Sequence, residues 1–171
     1  WKMIRLLVLS DIHSNLPALE AVLNDAAQFN ADYMVVAGDI VNWGPFSRQV
    51  MEALACVPCS IIRGNNELYL TDWQTPRAPS SWVHFTLPPY TMAQLGKKWM
   101  NTISAWPDTL TLRFRDAPSI QVVHGSPRSA FEPILPTSTD GEIEAMLAGV
   151  EATTLIAAHS HLVLDRQVGR W

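Results

Sequence analysis

Two histidines stand two residues apart in "AHSH" (158–161), directly after the apolar run "TTLIAA" (153–158). Residues i and i+2 of a strand point to the same side, so His159 and His161 can aim their imidazoles at one place. The plain alternative is that a strand leaving a core meets water through a polar residue. The chain has five histidines, and the others help to decide. His13 follows Asp11 in "SDIHSN", and His124 opens "HGSP"; both come after apolar runs. Asp39 in "GDIVNWG" and Asn65 in "GNNE" end two further runs, and only His84 lies outside the pattern. Imidazole mixed with carboxylate suits Zn, Mn, Fe, Ni or Co, whereas Ca or Mg sites are oxygen-rich. One tetrahedral zinc takes about four donors. Two divalent ions sharing one bridging carboxylate account for Asp11, His13, Asp39, Asn65, His124, His159 and His161 together. Taken singly, each has an ordinary reading: Asp11 or Asp39 as a helix cap, Asn65 as a turn residue, His124 as a loop residue before glycine. Their common position after apolar runs is what those readings leave unexplained.

The elements that must position these residues alternate. "MIRLLVLS" (3–10), "DYMVVAGD" (32–39) and "CSIIRGNN" (59–66) read as buried strands. "NLPALEAVLNDAAQF" (15–29), with Asn15 as cap, and "FSRQVMEALACV" (46–57) read as amphipathic helices. The β-α-β-α-β order predicts parallel pairing through right-handed crossovers. In such sheets ligands collect beyond the carboxyl ends of the strands. The pattern breaks over 70–106, which holds Trp73, Trp82, Trp99 and Trp106 of the seven tryptophans. We read this stretch as an inserted lid over the metal edge, with a helix in "TMAQLGKKWMNTI". Strands return in "DTLTLRF" (108–114) and "SIQVVHG" (119–125), followed by a proline-rich loop (126–139). Next come a helix "DGEIEAMLAGV" (140–150) capped by Asp140 and two last strands, "TTLIAAHSH" (153–161) and "LVLDRQVG" (162–169).

With 171 residues, 48% of them hydrophobic, the chain is expected to form a single domain, 1–171, with the lid as an insertion. A net charge of -4 with no basic run argues against general nucleic-acid binding. No apolar run reaches the roughly 20 residues that a membrane helix needs. The opening "WKMIRLLVLSD" meets a charge too early for a secretory signal. Met3 is the expected natural start, with Trp1 and Lys2 foreign to it. Cys56 and Cys59 in "CVPC" make half a zinc site and precede a strand, so packing is their expected role. The cytoplasm is the default location, and a homo-oligomer is compatible with these features.

The blocks "DIH", "GD", "GN", "HG" and "HSH", with the longer "GDIVNWGPFSRQV" and "HGSPR", resemble the calcineurin-like metallophosphoesterases over about 4–168. The likeness is to the small bacterial and archaeal phosphodiesterase branch. It implies an α/β fold, a four-layer αββα sandwich of two mixed β-sheets with a two-metal site at one edge. By matching positions it assigns Asp11, His13 and His161 to the first ion and Asn65, His124 and His159 to the second, with Asp39 bridging. Two ions about 3.5–4 Å apart clamp a phosphate and hold a bridging hydroxide for in-line attack. The implied activity is hydrolysis of a phosphodiester or phosphomonoester, with a small phosphate ester or nucleotide as substrate. Three departures stand out. Asn66 replaces a histidine thought to protonate the leaving group, Ala158 replaces a glycine, and the chain stops at Trp171 where relatives add a strand with an Asn-Pro-Gly-Ser segment. Arg63 and Arg128 adjoin site motifs and are candidates for phosphate contact. His84 is a candidate replacement proton donor if the lid folds over the metals. Ordinary surface and packing roles are their alternatives. Asn66 also favours a second class of function, a metal-binding scaffold or protein-interaction subunit, against which the intact donor set argues.

Overall fold

The computed structural model describes residues 3–171; Trp1 and Lys2, expected to precede the natural start, lie outside the described residues. Strands β1 (Leu6–Leu9), β2 (Tyr33–Ala37) and β3 (Ser60–Ile62) form one sheet in that order, and both pairings are parallel. Strands β4 (Thr109–Leu112), β5 (Ile120–Val123) and β6 (Thr154–Ile156) form the second. There β5 runs antiparallel to β4 and parallel to β6, so this sheet is mixed. β2 shows what its unbroken apolar run is for. Its side chains alternate between faces: Val35 and Ala37 pack with Ile62 and Val122 between the sheets, while Met34 and Val36 pack against helices.

Those helices are α1 (Leu16–Ala26), α2 (Ser47–Leu54), α3 (Asn65–Thr71) and α4 (Leu87–Ser104). Leu19, Val50, Met51, Leu54 and Leu70 from the first three join Leu95, Trp99 and Ile103 of α4 in one core. On the far side, α5 (Asp140–Met146) sets Ile143 against Ile134, Leu147, Val150 and Val168, with Leu155 of β6 packed on them. The layers therefore run helix, sheet, sheet, helix, the αββα sandwich expected from the sequence. Among the described residues no helix is long and apolar enough to cross a membrane. Both cysteines are free, Cys56 exposed and Cys59 packed on the first core.

Four local expectations change. Residues 87–104 are not a lid: α4 breaks at Gly96 (φ 64°), and it buries Leu95 before the break and Trp99 and Ile103, at i and i+4, after it. Only 72–86 stays irregular, with one 3-10 turn at Ser80–His84. The strand read over 59–66 ends at Ile62, and Asn65 already opens α3. The cap of α5 is Thr139, not Asp140: Thr139 Oγ1 accepts from the Glu142 N–H, and the Glu142 carboxylate accepts from the Thr139 N–H, a reciprocal capping box. Asp140 instead sits in the first turn, where its charge suits the helix dipole. Residues 162–169 form no strand. Leu162 and Val163 are exposed and only Val168 of the segment is buried, in the core with α5, while Arg166 pairs with Asp140 and the Ser138 carbonyl.

Candidate metal centre

The chain segments that leave β1, β2, β3, β5 and β6 meet at one edge of the sandwich. Backbone bonds join four of them in pairs. Asp11, His13 and Ser14 donate to the carbonyls of Gly38, Asp39 and Ile40, and Ala158 donates to the His124 carbonyl. The geometry forces unusual backbone. Asp11, His13, Asp39, His159 and His161 all have φ between 47° and 66°, a left-handed conformation that costs non-glycine residues and persists where the surroundings impose it. Two glycines make the close approach. A Cβ on Gly38 would come within 2.8 Å of His124 Nδ1, and one on Gly64 within 2.2 Å of Asp39 Oδ1.

All seven donors named from the sequence come together. Six form two clusters, Asp11 with His13 and His161, and Asp39 with His124 and His159, with donor atoms within 4.8 Å of one another in each; the seventh, Asn65, joins the second through His124. In the first, the Nε2 atoms of His13 and His161 are 3.3 Å apart, and the His161 Nε2 stands 3.0 Å from Asp11 Oδ1. In the second, His124 Nε2 stands 2.9 Å from Asn65 Oδ1 and 3.3 Å from Asp39 Oδ1. Asp39 belongs to both edges: its Oδ1 faces His124, while its Oδ2 lies 3.7 Å from His13 Nε2.

The second cluster contains its own test of fit. The His124 Nδ1–H donates to the Ala37 carbonyl at 2.8 Å, which leaves the Nε2 lone pair for the site. That lone pair then confronts two oxygen acceptors, Asn65 Oδ1 and Asp39 Oδ1. Three acceptors converging in a buried place need a proton or a cation among them. Metal-bound histidines carry the same device, donating the remote ring N–H to a carbonyl. The donor set therefore fits divalent transition ions.

The electrostatics follow from burial and pairing. Burial alone would raise the Asp39 carboxyl, but hydrogen bonds and charge from His124, with both Asn66 donors, hold it below the ordinary range. Burial would likewise lower His124, and Asp39 holds it raised instead. His13 is lowered by burial against the pull of Asp39 and Asp11, and His159 by burial and then by the His124 charge.

Asn66 reaches the site in the place where the family pattern has histidine. Its backbone N–H donates to Asp39 Oδ1 at 2.9 Å and its Nδ2 to Oδ2 at 2.6 Å. His84 does not touch the donors; it lines a cavity that Asn66 also lines. Both arginines are engaged elsewhere: Arg63 with Asp108 at 2.8 Å, Arg128 with Glu132. Sequence reasoning missed Glu67. Fully buried, its carboxylate accepts from the N–H groups of Asp39, Ile40, Val41 and Gly64, so it fixes the loop that carries Asp39. The available signal was a glutamate three residues after Gly64, the spacing of a helix-capping glutamate.

The family model for calcineurin-like phosphoesterases matches residues 4–167. The phosphodiesterase YfcE of Escherichia coli is 49% identical over 43 residues, 25% of this chain and 23% of that protein. An uncharacterized protein of Methanocaldococcus jannaschii is 40% identical over 60 residues, 35% of this chain and 25% of that one. These matches thus span about a quarter of each curated relative. A crystal structure of a metallophosphoesterase from Sphaerobacter thermophilus superposes with a TM-score of 0.72 at 26% identity, covering 94% of this chain and 62% of that one.

Proposed function

Because the chain belongs to the calcineurin-like phosphoesterase family, we propose that it is a two-metal phosphoesterase acting on a small phosphodiester or phosphomonoester. One observation carries the dinuclear part: the Asp39 carboxylate turns one oxygen to each donor cluster. When bound, two divalent transition ions supply Lewis acidity to phosphoryl oxygens and a nucleophile at neutral pH. Asp11, His13 and His161 would hold one, and Asn65, His124 and His159 the other, with Asp39 shared. His124 keeps its proton on Nδ1 against Ala37, so its Nε2 stays a ligand. Asn66 can donate a hydrogen bond near the reacting phosphate but delivers no proton. Esters with stable leaving anions should therefore turn over best. The reading places the protein in the cytoplasm with a small phosphate ester or nucleotide as substrate, with no role for general nucleic-acid binding.

A scaffold that keeps the fold without the chemistry would have no use for seven converging donors. The test is elemental analysis of protein purified without added metal, then hydrolysis of bis(p-nitrophenyl) phosphate with Mn²⁺ supplied. Two ions per chain and chelator-sensitive hydrolysis are expected. Two bound ions with no hydrolysis of any ester would favour the scaffold, and hydrolysis unaffected by chelator would overturn the metal reading.

A further inference from the structure

Beside the donor edge lies a cavity of about 350 Å³ walled by Asn42, Trp43, Tyr69, His84 and Phe85, with Asn66 at its inner end. That volume is within the range of small-molecule pockets. Three features distinguish it from a packing defect. First, its lining holds no Lys, Arg, Asp or Glu, so it suits an uncharged group. Second, Trp43 leaves 70% of its surface in water and holds φ at +68°, next to Asn42 at +74°. A large aromatic residue kept both strained and exposed is a mark of a functional loop. The strain is held by Gly44, whose N–H donates to the His13 carbonyl at 3.0 Å, and by Thr91, whose hydroxyl donates to Asn42 Oδ1 at 2.8 Å. Third, the opposite wall is a rigid aromatic cluster: Tyr69 packs on Trp82, Phe85 and Phe131 with ring centroids 4.6–5.5 Å apart.

Asn66 joins the cavity to the donors. Its N–H groups hold Asp39 on one side, while its buried Oδ1 has no partner among protein atoms. A ligand with its phosphate at the metals would thus extend its organic group past Asn66 and between Trp43 and Phe85.

We propose that this cavity binds the flat aromatic part of the substrate, so that aryl or nucleoside esters are the preferred class over alkyl ones. The inference rests on the phosphoesterase reading for where the phosphate sits. Trp43 and Phe85 supply ring faces.

The test uses matched probes that are not hydrolysed. Calorimetry of Mn²⁺-loaded protein should show phenylphosphonate binding about tenfold more tightly than methylphosphonate, the scale of one well-packed ring. Trp43→Ala and Phe85→Ala should each shrink the ratio to within about threefold, while Val83→Ala, exposed and outside the lining, should leave it unchanged. A wild-type ratio below about threefold, or a ratio insensitive to both cavity variants, overturns the proposal. If the protein takes up no metal or no phosphonate, the phosphoesterase reading fails separately. Adenosine quenching of indole fluorescence in the metal-free protein then decides: quenching lost in Trp43→Phe supports the cavity, and its absence in wild type overturns it.

Discussion

Asp39, His124 and His159 stand against the inter-sheet core, and Asp11, His13 and His161 stand at the open edge, yet both groups offer imidazole and carboxylate. The side chains of His124 and Asp39 are 0% and 2% exposed, and that of His161 is 58% exposed. The inner group is fixed before any ion arrives, by the Ala37 carbonyl on His124 and the Asn66 donors on Asp39. At the outer group the His13 and His161 rings, with centroids 5.3 Å apart, rest on each other and on Asp11. Preorganised donors lose less conformational entropy on binding. Two sites of one chemistry should therefore differ in affinity, the inner filling first and emptying last.

The largest effect should come from the residue the two groups share. Asp39→Asn keeps the shape of the side chain but takes a negative charge from both sites. Phosphoesterase activity should fall on the order of 10³-fold, as when a preorganised charge-stabilising group is lost, and metal content should drop at both sites. If metal titration shows only one site weakened, Asp39 does not bridge, and the two groups are independent.

Next in size is the exchange of Asn66 for histidine. General acid catalysis is worth about 10²–10⁴-fold, and it matters most for poor leaving groups. Asn66→His should raise activity on alkyl esters by about 10²-fold and flatten the dependence on leaving-group pKa, measured in a leaving-group series with the same metal. A series already flat in the unmutated protein would mean that another group, His84 first, supplies the proton.

The comparison of sites is sharpest in a pair of truncations. His124→Ala empties a buried place and strands Asp39 and Asn65, so metal-free protein should lose about 2–4 kcal/mol. His161→Ala removes an exposed ring and should stay within about 0.5 kcal/mol while the outer ion is lost. Thermal denaturation of metal-free protein beside elemental analysis reads both. Equal stability losses would break the distinction between a built inner site and an assembled outer one.

How much of this was legible beforehand depended on whether the signal was local. The donors could be read because each follows an apolar run, and strand period and β-α alternation place run ends on one edge. The helical layers were legible where an apolar stripe met a cap, as at Asn15, whose Oδ1 accepts from the Ala18 N–H at 3.2 Å. α4 was misread as lid because tryptophan and proline content outweighed the Trp99–Ile103 spacing, and the core that receives those side chains is invisible in sequence. Residues 162–169 look like a strand by composition, but strand formation needs a pairing edge and an apolar face, which are tertiary facts. Glu67 was lost for the same reason. Its partners at 39–41 are more than 25 residues away, so only the fold shows what its charge meets.

Glu67 gives the smallest effect, and it concerns the inner site alone. Burial first, and the Asp39 charge second, push its carboxyl up to about 6 from an ordinary 4.5, against four N–H donors that pull the other way. The folded chain thus holds a proton on Glu67 that the unfolded chain has already released between those pH values. Stability from this group is present at the acid end of the window and is lost as pH rises through about 6, an effect of about 1–2 kcal/mol. Glu67→Gln cannot titrate, so in metal-free protein the stability gap between wild type and variant should widen as pH falls from 7 to 4.5. Comparing the two proteins removes the slopes of Asp39 and His124, which both retain. A divalent ion on Asp39 offsets part of the charge that raises Glu67, so metal loading should flatten the difference. An ion confined to the outer group would leave it steep. Denaturant titrations across that pH range, with and without Mn²⁺, separate the cases; a pH-independent gap in metal-free protein would show that the N–H donors cancel burial, and a gap that narrows as pH falls would show that they outweigh it.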